Sequence, residues 1–182
     1  MNIGILEEIY TFLMENIGMP DLNINKENVN LVPLPNIDYR DKISGAIMGL
    51  SIGDVFGNAL RKQKLKESKH TTYFLKNGRN INVLKSTEQT EAVVLFAESL
   101  IINQRFDPED LANRFVRSPI LTRDKTIKQF AINYKNNNTG WYKSGVASLE
   151  NSCVFRCIPS ALVSYGDFTA LKLIASIQAV IT

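Results

Sequence analysis

The sequence predicts an all-α protein, and three features of its patterning say so. Apolar residues recur at three- and four-residue spacing along most of the chain. Helix start signals precede these runs, the plainest being Asp107-Pro108-Glu109-Asp110. β-favouring residues are confined to two short runs, Thr71 to Leu75 and Ile81 to Leu84, on either side of Asn77-Gly78. They predict one minor hairpin near 71–84 and no larger sheet.

Taken in order, Ile3, Leu6, Ile9, Tyr10, Leu13 and Ile17 predict a first helix that stops at Gly18, with Pro20 beyond. From Asp21 to Tyr39 the pattern dissolves into Asn, and Pro33 and Pro35 hold the chain extended. Residues 1–40 therefore read as a helix plus a linker or arm outside the main core, either a surface appendage or a partner-binding arm. The main domain, 41–182, opens at Asp41 with a helix whose face carries Ile43, Ala46, Ile47, Leu50 and Val55. Gly45, Gly49 and Gly53 recur every fourth residue there. Glycine weakens a helix, so three in register predict another helix packed closely along that line. The basic run Arg61 to Lys69 reads as a solvated face or loop, with His70 exposed beside it.

The next helix buries Val93, Val94, Phe96, Ala97, Leu100 and Ile101, and Ser86 and Gln89 before it have capping-box spacing. Asp107 then caps a helix with Pro108 in its first turn and Glu109 and Asp110 on the positive dipole end. Its inner face is Leu111, Phe115 and Val116, and Ser118-Pro119 ends it. Helical segments follow at Asp124 to Tyr134 and Pro159 to Tyr165, separated by the polar loop Asn136 to Gly140. A last helix opens near Asp167, carries Leu171, Ile174, Ala175, Gln178 and Ile181, and reads as still running at Thr182, as though cut short.

With 182 residues the chain is sized for one domain, and its 45% hydrophobic and 21% charged composition is that of a globular protein. A net charge of +3, with no sustained basic run except Arg61 to Lys69, is too small to argue for nucleic acid, and none is expected as a partner. Two cysteines, Cys153 and Cys157, with one histidine make neither a disulfide framework nor a four-ligand zinc site, and read as small core residues. One histidine also argues against Ser-His-Asp or Cys-His catalysis. No apolar run approaches a membrane span, and the start MNIGILEEIY lacks a signal peptide's positive flank. The expectation is a soluble, intracellular (cytoplasmic) protein with no membrane partner.

Three stretches then carry chemistry. The first is D-K-I-S-G-A-I-M-G-L-S-I-G-D-V-F-G, from Asp41 to Gly57. The second is Ser86-Thr87-Glu88-Gln89-Thr90, followed by Ala97-Glu98-Ser99-Leu100 and Asp107 to Ala112. The third runs from Asn151-Ser152-Cys153 through Arg156 to Pro159. In this order and spacing they resemble the ADP-ribosylglycohydrolase family, the group typified by the dinitrogenase-reductase-activating glycohydrolase. The family's corresponding patterns are D-R-I-x-G-A-L-x-G-x-A-x-G-D-A-x-G, then T-D-D-T with A-E-S-L and D-P-E-D-L-A, then G-N-G-x-x-M-R-x-x-P.

The resemblance implies an all-α orthogonal bundle of which residues 41–182 would form the N-terminal half. It implies hydrolysis of the glycosidic bond between ADP-ribose and a protein side chain or related group, assisted by two Mg²⁺ ions. It places metal ligands at Thr87, Glu88 and Gln89, a catalytic role at Glu88, and substrate contacts at Asp54, Asn151, Ser152 and Arg156. Departures from the pattern bear on that chemistry. Glu88 keeps a charge where the family has its first aspartate, but Gln89 puts a neutral amide at the second. Arg61 stands where a metal-facing glutamate belongs, Glu150 and Ser152 replace two glycines of the phosphate loop, and no D-x-D-[ST] occurs in these 182 residues.

Plainer roles stay open for the same residues: helix capping for Thr87, Glu88 and Gln89, a cap or turn for Asp54, a surface ion pair for Arg156. Two functional readings follow. One is a glycohydrolase with a degenerate metal motif, impaired or inactive as this chain alone, acting on an ADP-ribosylated protein. The other is a non-catalytic ADP-ribose-binding or protein-interaction module. A truncated core predicts exposed apolar surface that favours self-association or a protein partner.

Overall fold

A computed structural model describes residues 3–21, 36–63, 86–136, 139–148 and 152–181. Among the described residues the chain forms seven α-helices and no strand. They are α1 (Ile3–Ile17), α2 (Asn36–Gln63), α3 (Glu88–Asn103), α4 (Pro108–Arg117), α5 (Lys125–Asn136), α6 (Cys157–Val163) and α7 (Phe168–Ala179). Short 3₁₀ turns at Leu121–Arg123, Trp141–Lys143 and Ser152–Val154 connect the later helices. The hairpin expected near 71–84, His70 and Asn151 lie outside the described residues.

Helix ends follow the local chemistry. Gly18, at φ +65°, ends α1 in a left-handed conformation that suits glycine. Asp107 accepts from the amides of Glu109 and Asp110 at 3.1 and 3.0 Å and caps α4. Asp124 does the same for Thr126 and Ile127 at the start of α5, and Asp167 for Ala170 at the start of α7. The chain turns out of α7 after Ala179, short of the run to Thr182 that the sequence suggests.

The core gathers Leu6, Leu13, Phe96, Leu111, Phe115 and Phe130 with the inner face of α7, Leu173, Ile174 and Ile177. Two expectations are corrected here. Helix α1 is not outside the core: its Leu6, Tyr10 and Leu13 are buried, and it packs against α7. The Tyr10 hydroxyl also donates to the Pro20 carbonyl at 2.9 Å, fastening the chain after α1. In α3 the buried line is Ala92, Val93, Phe96, Ser99 and Leu100. Val94 and Ile101, expected inside, are 39% and 68% exposed. They sit seven residues apart on the side of α3 that turns from the core, and Ile101 borders a shallow groove with Ile43 and Ile47 of α2.

Helix α2 lies at the margin. It packs on α3 and α6, but Ile43, Ala46, Ile47, Leu50 and Val55 are only half-buried. Among the described residues the close helix expected along its glycines is not seen: a Cβ at Gly45, Gly49 or Gly53 would meet none of their atoms within 4 Å. That face is open, with Met48 62% and Ile52 51% exposed.

Between α3 and α4 the link is polar. Asp110 accepts from Ser99 (2.7 Å), Asn103 (2.8 Å) and Arg114 (2.6 Å). Burial works to raise the Asp110 carboxyl, but the hydrogen bonds from Arg114, Ser99 and Asn103 and the Arg114 charge outweigh it and hold it below its ordinary value. The Ala97-to-Leu100 and Asp107-to-Ala112 stretches thus meet through one carboxylate.

Candidate functional site

Helix α2 passes the N-terminus of α3, and one acid joins them. Asp54 lies inside α2, not at a cap or turn. Its carboxylate accepts from the Thr87 amide (2.7 Å), the Thr87 hydroxyl (2.6 Å) and the Thr90 hydroxyl (2.7 Å). Thr87 is the N-cap of α3, its Oγ1 accepting from the Gln89 amide at 3.2 Å. The cap is therefore one residue later than the expected Ser86. Thr90 stands three residues on, where a capping box has Glu or Gln; the Thr87 amide that such a residue would meet donates to Asp54, and so does the Thr90 hydroxyl. The Thr87–Thr90 spacing was the available sign of this clamp, because residues three apart share a helix face.

Beside the clamp is a cavity of about 720 Å³. Gly53, Asp54, Gly57 and Arg61 wall it from α2, and Thr87, Glu88 and Gln89 from the start of α3. Ser152 and Phe155 close it from the segment before α6, and Asp124 from the head of α5. Sequence reading placed Asp124 only at a helix start and missed its second role, as it missed Phe155. Six of the seven expected site residues are among the described residues, and five of them line the cavity. Asp54, Thr87, Glu88, Gln89 and Ser152 line the cavity. Arg156 does not.

Arg156 is 1% exposed and turned into the core. Its Nε donates to Gln178 Oε1 at 2.7 Å, and its guanidinium lies 5.2 Å from the centre of the Phe115 ring. Gln178 in turn donates to the Cys153 carbonyl at 3.2 Å. Neither the surface ion pair nor the phosphate contact describes this residue: it fastens the Ser152–Val154 turn, and so one cavity wall, to α7. Burial pulls its guanidinium down to about 10, so it stays charged at neutral pH. Cys153 and Cys157 are free, half-buried thiols around it, and burial pushes the Cys157 thiol up.

The donor set can be weighed against a pair of Mg²⁺ ions. Hard cations gather several charged oxygens. Here Asp54 already accepts three hydrogen bonds, and Thr87 Oγ1 both donates to Asp54 and accepts from Gln89. Gln89 brings no charge, and Asp124 is engaged by two amides of α5. Among the described residues no three acidic, histidine or cysteine side chains come together as a metal site. These residues do not fit a two-ion centre.

Comparison with known proteins adds three findings. A family model described as ADP-ribosylglycohydrolase matches residues 35–182. An uncharacterized protein of Archaeoglobus fulgidus is 27% identical over 150 residues, which cover 78% of this chain and 49% of that protein. The chain thus spans about half the length of that relative, and no solved structure matches it significantly.

Proposed function

The chain belongs to the ADP-ribosylglycohydrolase family, and from that premise we propose that the cavity between α2 and α3 receives an ADP-ribosyl group carried by a protein side chain or a related group. One observation carries the reading. The three sequence stretches that resemble the family are far apart in the chain, yet residues of all three line this cavity: Asp54, then Thr87 to Gln89, then Ser152.

Cleavage of a glycosidic bond needs a water deprotonated as it attacks and a leaving group that departs from a cation-like sugar. Glu88 is the acid of the Thr87-Glu88-Gln89 triplet, it lines the cavity, and it is the group we assign to take the proton from that water as its oxygen bonds to the anomeric carbon and the bond to the side chain breaks; the departing side chain takes up a proton from solvent. Asp54 acts earlier, by holding the head of α3 against α2 so that Glu88 faces the cavity. The donor set among the described residues falls short of what two Mg²⁺ ions need. The second reading is a protein that holds the ADP-ribosyl group without cleaving it, and the neutral Gln89 with the engaged Asp54 favours it.

Calorimetry with ADP-ribose and chromatographic detection of ADP-ribose released from a modified protein separate the two. Release that Glu88→Gln abolishes while binding persists supports hydrolysis. Binding without release supports the second reading. Absence of both overturns the proposal.

A further inference from the structure

The charged groups around the cavity divide into those already met by internal donors and those that are not. Asp54 is met by three hydrogen bonds from Thr87 and Thr90. Asp124 is met by the Thr126 and Ile127 amides at 2.8 and 3.1 Å, at the positive end of α5. Glu88 and Arg61 remain. Arg61 is exposed, lines the cavity and makes no ion pair among the described residues. It lies seven residues after Asp54 in one continuous helix, two turns on and on the same face, roughly 10 Å further along the axis. Gly57 between them and Gly53 before them keep that wall low, and no described residue stands within 4 Å of where a Cβ would be.

We infer that Arg61 is the cavity's anion-binding residue, and that the site takes a phosphate-bearing ligand without a divalent cation. A guanidinium offers a planar fork of charged donors that matches two phosphate oxygens. At the other end Glu88 is an acceptor for sugar hydroxyls. One fixed cation thus supplies positive charge that the donor set cannot gather from bound metal, and it does so on the helix that the Asp54 clamp holds. This inference rests on the ADP-ribosyl reading of the cavity and adds the residue and the ion independence.

The test is calorimetric titration of the whole chain with ADP-ribose, once in chelator and once in Mg²⁺, with ribose as the uncharged comparison. Wild type is expected to bind with the same affinity, within about twofold, in both media. Arg61→Ala is expected to weaken binding by at least about tenfold, the equivalent of one charge-assisted bond. Arg61→Lys, which keeps charge but loses the fork, is expected to fall between. Each variant should melt with wild type, because the side chain is exposed. Binding that appears only with Mg²⁺ overturns the inference and leaves the ADP-ribosyl reading standing. Unchanged binding by Arg61→Ala also overturns it. Absence of binding in both media overturns both.

Discussion

Asp54 accepts hydrogen bonds from Thr87, 33 residues away in sequence, and from Thr90, 36 away. A carboxylate used this way is structural first, since removing it strands three donors. Asp54→Ala is expected to cost about 2 kcal/mol, the scale of hydrogen bonds to a charged group, read as a lowered urea midpoint. An unchanged midpoint would mean that the clamp does not form. Asp110 makes a pH-dependent prediction. Its carboxyl is depressed in the folded protein, so its stabilisation is fully present above the ordinary carboxylate value of about 4 and is lost as pH falls through the folded value. Thermal melts should show wild type more stable than Asp110→Asn near neutrality, with the difference closing in acid. A difference constant down to pH 3 would contradict the assignment. Caps such as Asp107 and Asp167 were legible in sequence because a cap acts within one turn. The Asp54 clamp and the core placement of Arg156 were not, because each partner arrives from another helix.

At the scale of elements, the open face of α2 gives the sharpest disagreement between pattern and packing. Glycine at every fourth position suggests a helix pressed against it, yet none of the described residues occupies the space a Cβ would take. Gly45→Ala and Gly49→Ala are therefore expected to stabilise the protein, each by about 0.5–1 kcal/mol, through helix propensity alone. Destabilisation in urea titrations would show that a partner element does pack there. Periodicity identified the helices well where one side is fully buried, as in α4, whose Leu111, Phe115 and Val116 are all inside. It was less informative in α3, where apolar residues run round the helix and the sequence cannot tell the core line through Phe96 from the exposed Ile101. The first helix shows the complementary limit. Its apolar stripe was plain, but nothing local told that α7 would cover it.

For the whole molecule, the fold class was readable because helical spacing recurs along most of the chain, and the family was readable because three short stretches keep their order. Their convergence on one cavity is a tertiary fact that no stretch carries alone. No described helix is long and apolar enough to cross a membrane. The exposed Met48 and Ile52 predict binding of an anilinonaphthalene dye, reduced in a Met48→Glu, Ile52→Glu double variant. Equal fluorescence from both proteins would show that this face is covered.

Crystals grown with ADP-ribose and Mn²⁺, a cation located by its anomalous scattering, would test the site most directly. The expected result is ligand density in the cavity with a phosphate beside Arg61 and no ordered ions. A pair of anomalous peaks between Thr87 and Glu88, or a ligand bound elsewhere, would contradict it.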